Sequence, residues 1–337
     1  MIYIPEIPLI DFEAQKAAQN HLKQSNGRQG SLGYLEALAV RLATIRGSKG
    51  VTFDHKHIVL IGADQNHLAA NPAATSAIME AIVAEISPIN ALTSQHHATL
   101  TLADIGMSQP FQHPSVQSLR IAKCGNMAAG PALVITEVND AFMVGMNIGS
   151  MEISVGMNLM AAGAITSPGG ALSAIAVAAV LGQADVESLM PETDPFGSPL
   201  TVPAQIELIK HAIDINKPER IDVIDVIRCV GSAEIAALAG LMLVAAAGRV
   251  PILIDGLISA AAAYTAASLN PAIRFSLIAG TAPVHLAHTF ILQKLGLRPL
   301  VNLDISSESA VGAAMAFPII DTAAALLTNK ISVEDNV

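Results

Sequence analysis

The sequence predicts an α/β fold: a parallel sheet covered by helices on both faces, with further helices from the two chain ends. Short apolar runs ending in Asp or Gly recur along the chain, and each is followed by an alanine-rich stretch of helical periodicity. Buried strands alternating with longer helical segments are the pattern of a parallel sheet wrapped on both sides. The composition agrees: 52% hydrophobic and 14% charged residues, with no tryptophan, suit a large core of small aliphatic side chains.

Taken in order, Asp11–Gln24 and Ser31–Ile45 read as helices. Gly30 and Gly33 bracket a turn, Ser31 is placed to cap the second helix, and Leu32, Leu35 and Leu38 follow at helical spacing. Five runs then read as strands: His57–Asp64, Thr99–Gly106, Val223–Gly231, Val250–Gly256 and Phe275–Gly280. Met190–Pro203, with four prolines and one glycine, reads as the long loop. Ala310–Leu327 returns to helix. Residues 1–48 and 306–337 are expected to form a small helical domain beside an α/β domain of residues 49–305. Ligands of such sheets bind beyond the carboxyl ends of the strands, where Asp64, Asp104, Asp255 and Gly280 fall. For each aspartate a helix N-cap or loop turn is the commoner role.

Several classes are disfavoured. A formal charge of −10, with no Lys/Arg cluster, argues against a nucleic-acid surface. Neither Ile235–Ala247 nor Ala310–Leu327, the latter interrupted by Pro318 and Asp321, supplies the roughly 20 unbroken apolar residues of a membrane span. The first residues lack a basic segment followed by an apolar one, so no secretory signal is expected. Two cysteines, Cys124 and Cys229, make no disulfide framework or metal spacing, and a reducing cytoplasm is the simplest home.

Gly30–Gly47 resembles the GSLGxLE element of the nicotinate-nucleotide phosphoribosyltransferases that transfer ribose phosphate to 5,6-dimethylbenzimidazole. The resemblance continues in order along the chain. Ile61–His67 (IGADQNH) resembles the family's AADHGV, Ile86–Asn90 its GGAAIN, Ala103–Met107 its VDxGV, and Cys124–Leu133 its GTxNxxxGPAM. Cys229–Gly240 resembles GGxEIAAMAG, Arg249–Ala262 resembles RxPVLLDGFIxTAA, and Leu295–Leu303 resembles LGLxPLLDL. The resemblance implies a Rossmann-like sheet with a small helical domain, no cofactor, and a dimer with active sites near the interface.

The departures concern the chemistry. Where the family has GEMGIGNTT, this chain has Gly163–Ala171, with Ala164 at the glutamate position and Pro168 removing a backbone donor. Ser167, Gly169 and Gly170 remain ahead of a helix. No GTG occurs near 190–205, and the lysine that follows it in the family falls on or near Gln205. In Gly280–His288 the inner glutamate of GHxSxEPGH is His285 and the last histidine is His288. His285 and His288 lie three residues apart, but no third ligand accompanies them and no metal is expected. Where RLGEGTGAA carries the glutamate that serves as general base, Ser306–Ala314 places Ser309, and Glu308 lies one position early. Glu308 is a candidate displaced base, with a solvated loop carboxylate as the commoner reading. Asp64, Ser167, Gly169, Gly170, Glu234, Asp255 and His288 are the candidate remnants of substrate binding.

A general base contributes about 10²–10⁴-fold to such a displacement. Losing both glutamates and much of the phosphate cradle implies a non-catalytic subunit kept for pairing with an intact homologue. The sequence resembles the degenerate subunit of a two-subunit member that activates phenol or p-cresol for phenolyl cobamides. Nicotinate mononucleotide and a phenolic or benzimidazole base are then the substrates of the complex. A self-sufficient homodimer using Glu308, Glu234 or Asp255, and a non-catalytic nucleotide-binding sensor, are the alternatives.

Overall fold

The computed structural model describes residues 3–25, 30–66, 71–121, 124–193 and 197–328. Its elements run α1 (Phe12–Ser25), α2 (Tyr34–Arg46), β1 (Lys56–Ala63), α3 (Pro72–Val83), α4 (Pro88–Gln95), β2 (Thr99–Gly106), β3 (Val116–Ser118), α5 (Ile135–Ser154) and β4 (Leu159–Ile165). There follow α6 (Pro168–Gly182), α7 (Val186–Leu189), α8 (Val202–Asn216), α9 (Val223–Val230), α10 (Ala233–Ala247), β5 (Ile252–Ile254), α11 (Leu257–Leu269), β6 (Leu277–Ala279), α12 (Leu286–Leu295), α13 (Val311–Met315) and α14 (Phe317–Thr328).

The strands form one parallel sheet in the order β3-β2-β1-β4-β5-β6. This is the doubly wound Rossmann-like order, in which the chain switches direction across the sheet between β1 and β4. The crevice beyond the carboxyl ends of those two strands is where such folds bind ligands.

Strand β1 shows how the sequence fills both faces. Val59, Ile61 and Ala63 enter one core, with α5, α6, α10 and α11. Ile58 and Leu60 enter the other, with α2, α3 and α14. All five are fully buried, so truncating Leu60 to alanine should cost about 2–5 kcal/mol. Helices α1, α2 and α14 pack on one another and share the second core with the sheet. Residues 311–328 are apolar enough for a membrane span by composition, yet half of that window is buried here.

Three local expectations are corrected. Val223–Gly231 is not a strand. Asp222 accepts hydrogen bonds from the N–H groups of Ile224 and Asp225 and starts α9. The buried Val223, Val226, Ile227 and Val230 recur at helical spacing. Ser31 does not cap α2: the N-cap is Gly33, and the Glu36 carboxylate instead accepts from the N–H groups of Gly30 and Leu32. Two strands, β3 and β4, lie outside the five expected runs. β4 reads LMAAGAI, whose alanines and glycine carry little of the β-branched composition typical of strands.

Candidate active site at the strand ends

A cavity of about 520 Å³ opens beyond the carboxyl end of β4, between α3, the start of α11 and residues 306–311, within the size range of small-molecule sites. Ala164, Thr166, Ser167, Ile258, Glu308 and Ser309 are among the residues lining it. The two positions where the resemblance places glutamates, Ala164 and Ser309, therefore meet at one cavity. Glu308 is its only charged lining residue among those described.

Glu308 is half-buried and bonded to backbone rather than free in solvent, which corrects the expectation above. Its two oxygens accept hydrogen bonds from the N–H groups of Leu257 (2.9 Å) and Ile258 (2.8 Å), so the carboxyl caps the first turn of α11. The positive end of the helix dipole favours a carboxylate there. Gly256 makes room for it, since a Cβ at that position would overlap the Glu308 carboxyl. The loop itself lies on the end of β4: Ala164 donates to the Glu308 carbonyl (2.7 Å), and a Cβ on Gly163 would stand 2.5 Å from Ala310 N. Burial raises the Glu308 carboxyl to about 7, against the pull of the two N–H groups.

Asp255, just beyond β5, is fully buried. One oxygen accepts from Ala313 N (2.8 Å) and the other has no partner. Burial, reinforced by the charge of Glu308, pushes it up to about 8. Asp255 thus ties α13 to the sheet from beneath the cavity floor.

Asp64 and Asp104 are structural pins. Asp64 accepts from the Thr75 hydroxyl (2.6 Å) and Ser108 N (2.7 Å). Asp104 accepts from the N–H groups of Gly106, Met107 and Phe111 and from Arg120. Glu234 is fully buried at the start of α10. Its Oε1 accepts from the Gln65 amide (2.5 Å), its Oε2 has no partner, and burial raises it to about 7. Gln65 in turn accepts from the Thr166 hydroxyl (3.2 Å) at the cavity wall. Sequence reasoning singled out neither Gln65 nor Thr166. They are 101 positions apart, and no local motif joins them.

The phosphate remnants are thin. Pro168 is the first residue of α6, where a missing N–H costs nothing because no helix bonds it. The N–H of Gly170 turns back onto the Ser167 carbonyl (3.0 Å). Ser167 itself is buried with an unpartnered hydroxyl at the positive end of α6. No Lys or Arg lines the cavity among the described residues. Gln205 sits within α8 and donates to the Leu200 carbonyl, away from the cavity. His67 and residues 194–196 lie outside the described residues. His288 is buried in α12, not at the cavity, and burial pushes it down to about 3. His285 caps the same helix by accepting from Ala287 N. Among the described residues no three His, Cys, Asp or Glu side chains converge as metal ligands.

A family model described as Phosphoribosyltransferase (DBI_PRT) matches residues 7–337. The chain belongs to this phosphoribosyltransferase family. Among its relatives is the nicotinate-nucleotide–dimethylbenzimidazole phosphoribosyltransferase of Halalkalibacterium halodurans, 33% identical over 329 residues, covering 95% of this chain and 91% of that protein. The enzyme of the same name from Ruminiclostridium cellulolyticum is 33% identical over 331 residues, covering 96% and 93%. The crystal structure of CobT from Thermus thermophilus superimposes with a TM-score of 0.88 at 25% identity, covering 94% of this phosphoribosyltransferase chain and 96% of the other.

Proposed function

We propose that this chain is a subunit of a nicotinate mononucleotide-dependent phosphoribosyltransferase for cobamide lower-ligand synthesis, and that it leaves catalysis to an intact homologous partner. The enzymes it resembles carry nicotinate nucleotide and dimethylbenzimidazole in their names. The observation that carries the non-catalytic reading is the cavity end. Ala164 and Ser309 stand there without a carboxylate, and the adjacent Glu308 has both oxygens tied to α11. Proton removal from the incoming nucleophile then falls to the partner. Resemblance to the phenol-activating pair favours phenol or p-cresol as the acceptor, which would give an O-glycoside. The two buried, unbridged thiols suit a reducing cytoplasm.

Coexpression with the intact homologue from the same host tests this. A 1:1 complex by light scattering, making phenolic riboside phosphate from nicotinate mononucleotide, is the expected result. A chain that stays apart from every such homologue contradicts it.

A second reading has one observation in its favour. Glu308 lines the cavity and titrates near neutrality, as a general base should. Release of its carboxyl from α11 would let a homodimer work alone.

A further inference from the structure

We propose that Thr166 is a specificity-determining residue that presents a hydrogen-bond acceptor to the cavity, selecting a ring that carries an O–H or N–H donor. The inference goes beyond the function proposed above: it takes this chain's own cavity still to admit a lower-ligand ring, although proton removal is left to the partner. It follows from a chain of three groups whose hydrogen-bonding roles are forced in sequence.

At pH 8, above its value of about 7, Glu234 is mostly a carboxylate and can only accept. Gln65 must therefore turn its amide NH₂ toward Glu234 Oε1, at 2.5 Å. That leaves the Gln65 carbonyl facing Thr166, and a carbonyl can only accept. Thr166 consequently spends its single proton on Gln65 Oε1, at 3.2 Å. The lone pairs of Thr166 Oγ1 remain, and Thr166 lines the cavity. The burial of Glu234 and Gln65 keeps water from scrambling the order. Ala74, Ile78, Ala164 and Ile258 supply apolar lining for a flat ring.

Glu234 acts through Gln65 and is a positioning residue. Thr166 is the group that would meet the ligand. A donor-bearing ring such as phenol satisfies the Thr166 lone pairs, whereas anisole, its O-methyl ether, brings only an acceptor. Leaving a buried acceptor opposite another acceptor costs one unmade hydrogen bond, about a fivefold to tenfold loss of affinity.

The test uses the purified full chain at pH 8, with phenol and anisole as probes and dissociation constants from ligand-observed NMR. Wild type should bind phenol about fivefold to tenfold more tightly than anisole. Thr166→Val keeps the shape without the oxygen and should bring the ratio to about one, while Thr166→Ser should preserve it. Glu234→Gln can donate to the Gln65 carbonyl and reverse the chain, so that Thr166 donates into the cavity. Anisole should then gain affinity, which a merely structural role for Glu234 would not produce. An undiminished phenol preference in Thr166→Val overturns this inference and leaves the transferase reading standing. Failure of wild type to bind either ring overturns the inference together with the ring-site reading beneath it.

Discussion

Glu234 and Glu308 both titrate near 7, raised by burial, yet the fold holds them in different ways. Glu308 is occupied: backbone N–H groups of α11 take both oxygens, and its charge serves the helix. Glu234 has one oxygen on Gln65 and one without a partner, and its bond to Gln65 fixes the hydrogen-bond direction as far as Thr166 at the cavity wall. A raised acid is therefore no sufficient mark of a catalytic base. What its oxygens are already bonded to decides whether it can accept a proton from substrate.

The largest effect that would sharpen this contrast is expected from pH. Glu234, Glu308 and Asp255 have folded values of about 7, about 7 and about 8, above their ordinary values. The folded chain then keeps protons that the unfolded chain releases, so this stability is full below about pH 4 and is lost as pH rises through 7 to 8. His288, pushed down to about 3, works in the opposite sense, losing stability as pH falls from 6.5 toward 3. Glu152, held below the ordinary carboxylate range chiefly by its bond to His57, loses its contribution in acid as well. Above 6.5 the three raised acids dominate this set. Melting temperature should drop by roughly 3–8 °C between pH 6.5 and 8.5, and Glu234→Gln should make the drop shallower. A flat profile would show that these acids are not held as described.

A smaller effect is expected from Gly256→Ala. The new methyl would meet the Glu308 carboxyl first and displace it from α11. Loss of the charged cap should cost about 1–2 kcal/mol in denaturant unfolding. An unchanged midpoint would mean that the cap contributes little.

The smallest effect concerns turnover. If the proposed pairing holds, Glu308→Gln in a complex with the intact homologue should leave kcat within about threefold, since both carboxyl oxygens are already bonded to α11. A loss of about 10²-fold or more, with the complex intact, would move catalysis onto this chain.

The sheet was largely legible from the sequence because β1, β2, β5 and β6 are compact apolar runs closed by Asp or Gly. α9 was misread for the same reason: an apolar run looks like a strand until its spacing is weighed against the capping Asp222. At the site, motif order brought Ala164 and Ser309 to one cavity, as the resemblance implied. The fate of Glu308 was not legible, since it depends on Gly256 and the first turn of α11, some 50 positions earlier. The pairing of Gln65 with Thr166 has no sequence signature, because a hydrogen-bonded relay between two strand ends leaves no spacing along the chain.

The most direct test is steady-state turnover by the pure chain, supplied with nicotinate mononucleotide and either phenol or dimethylbenzimidazole. A subunit with Ala164 and Ser309 at its cavity, and Glu308 bound to α11, should release no nicotinate above the uncatalysed rate. Adding the intact homologue should restore product formation. Sustained turnover by the pure chain in the usual enzymatic range, roughly 0.1–100 s⁻¹, would contradict the non-catalytic reading.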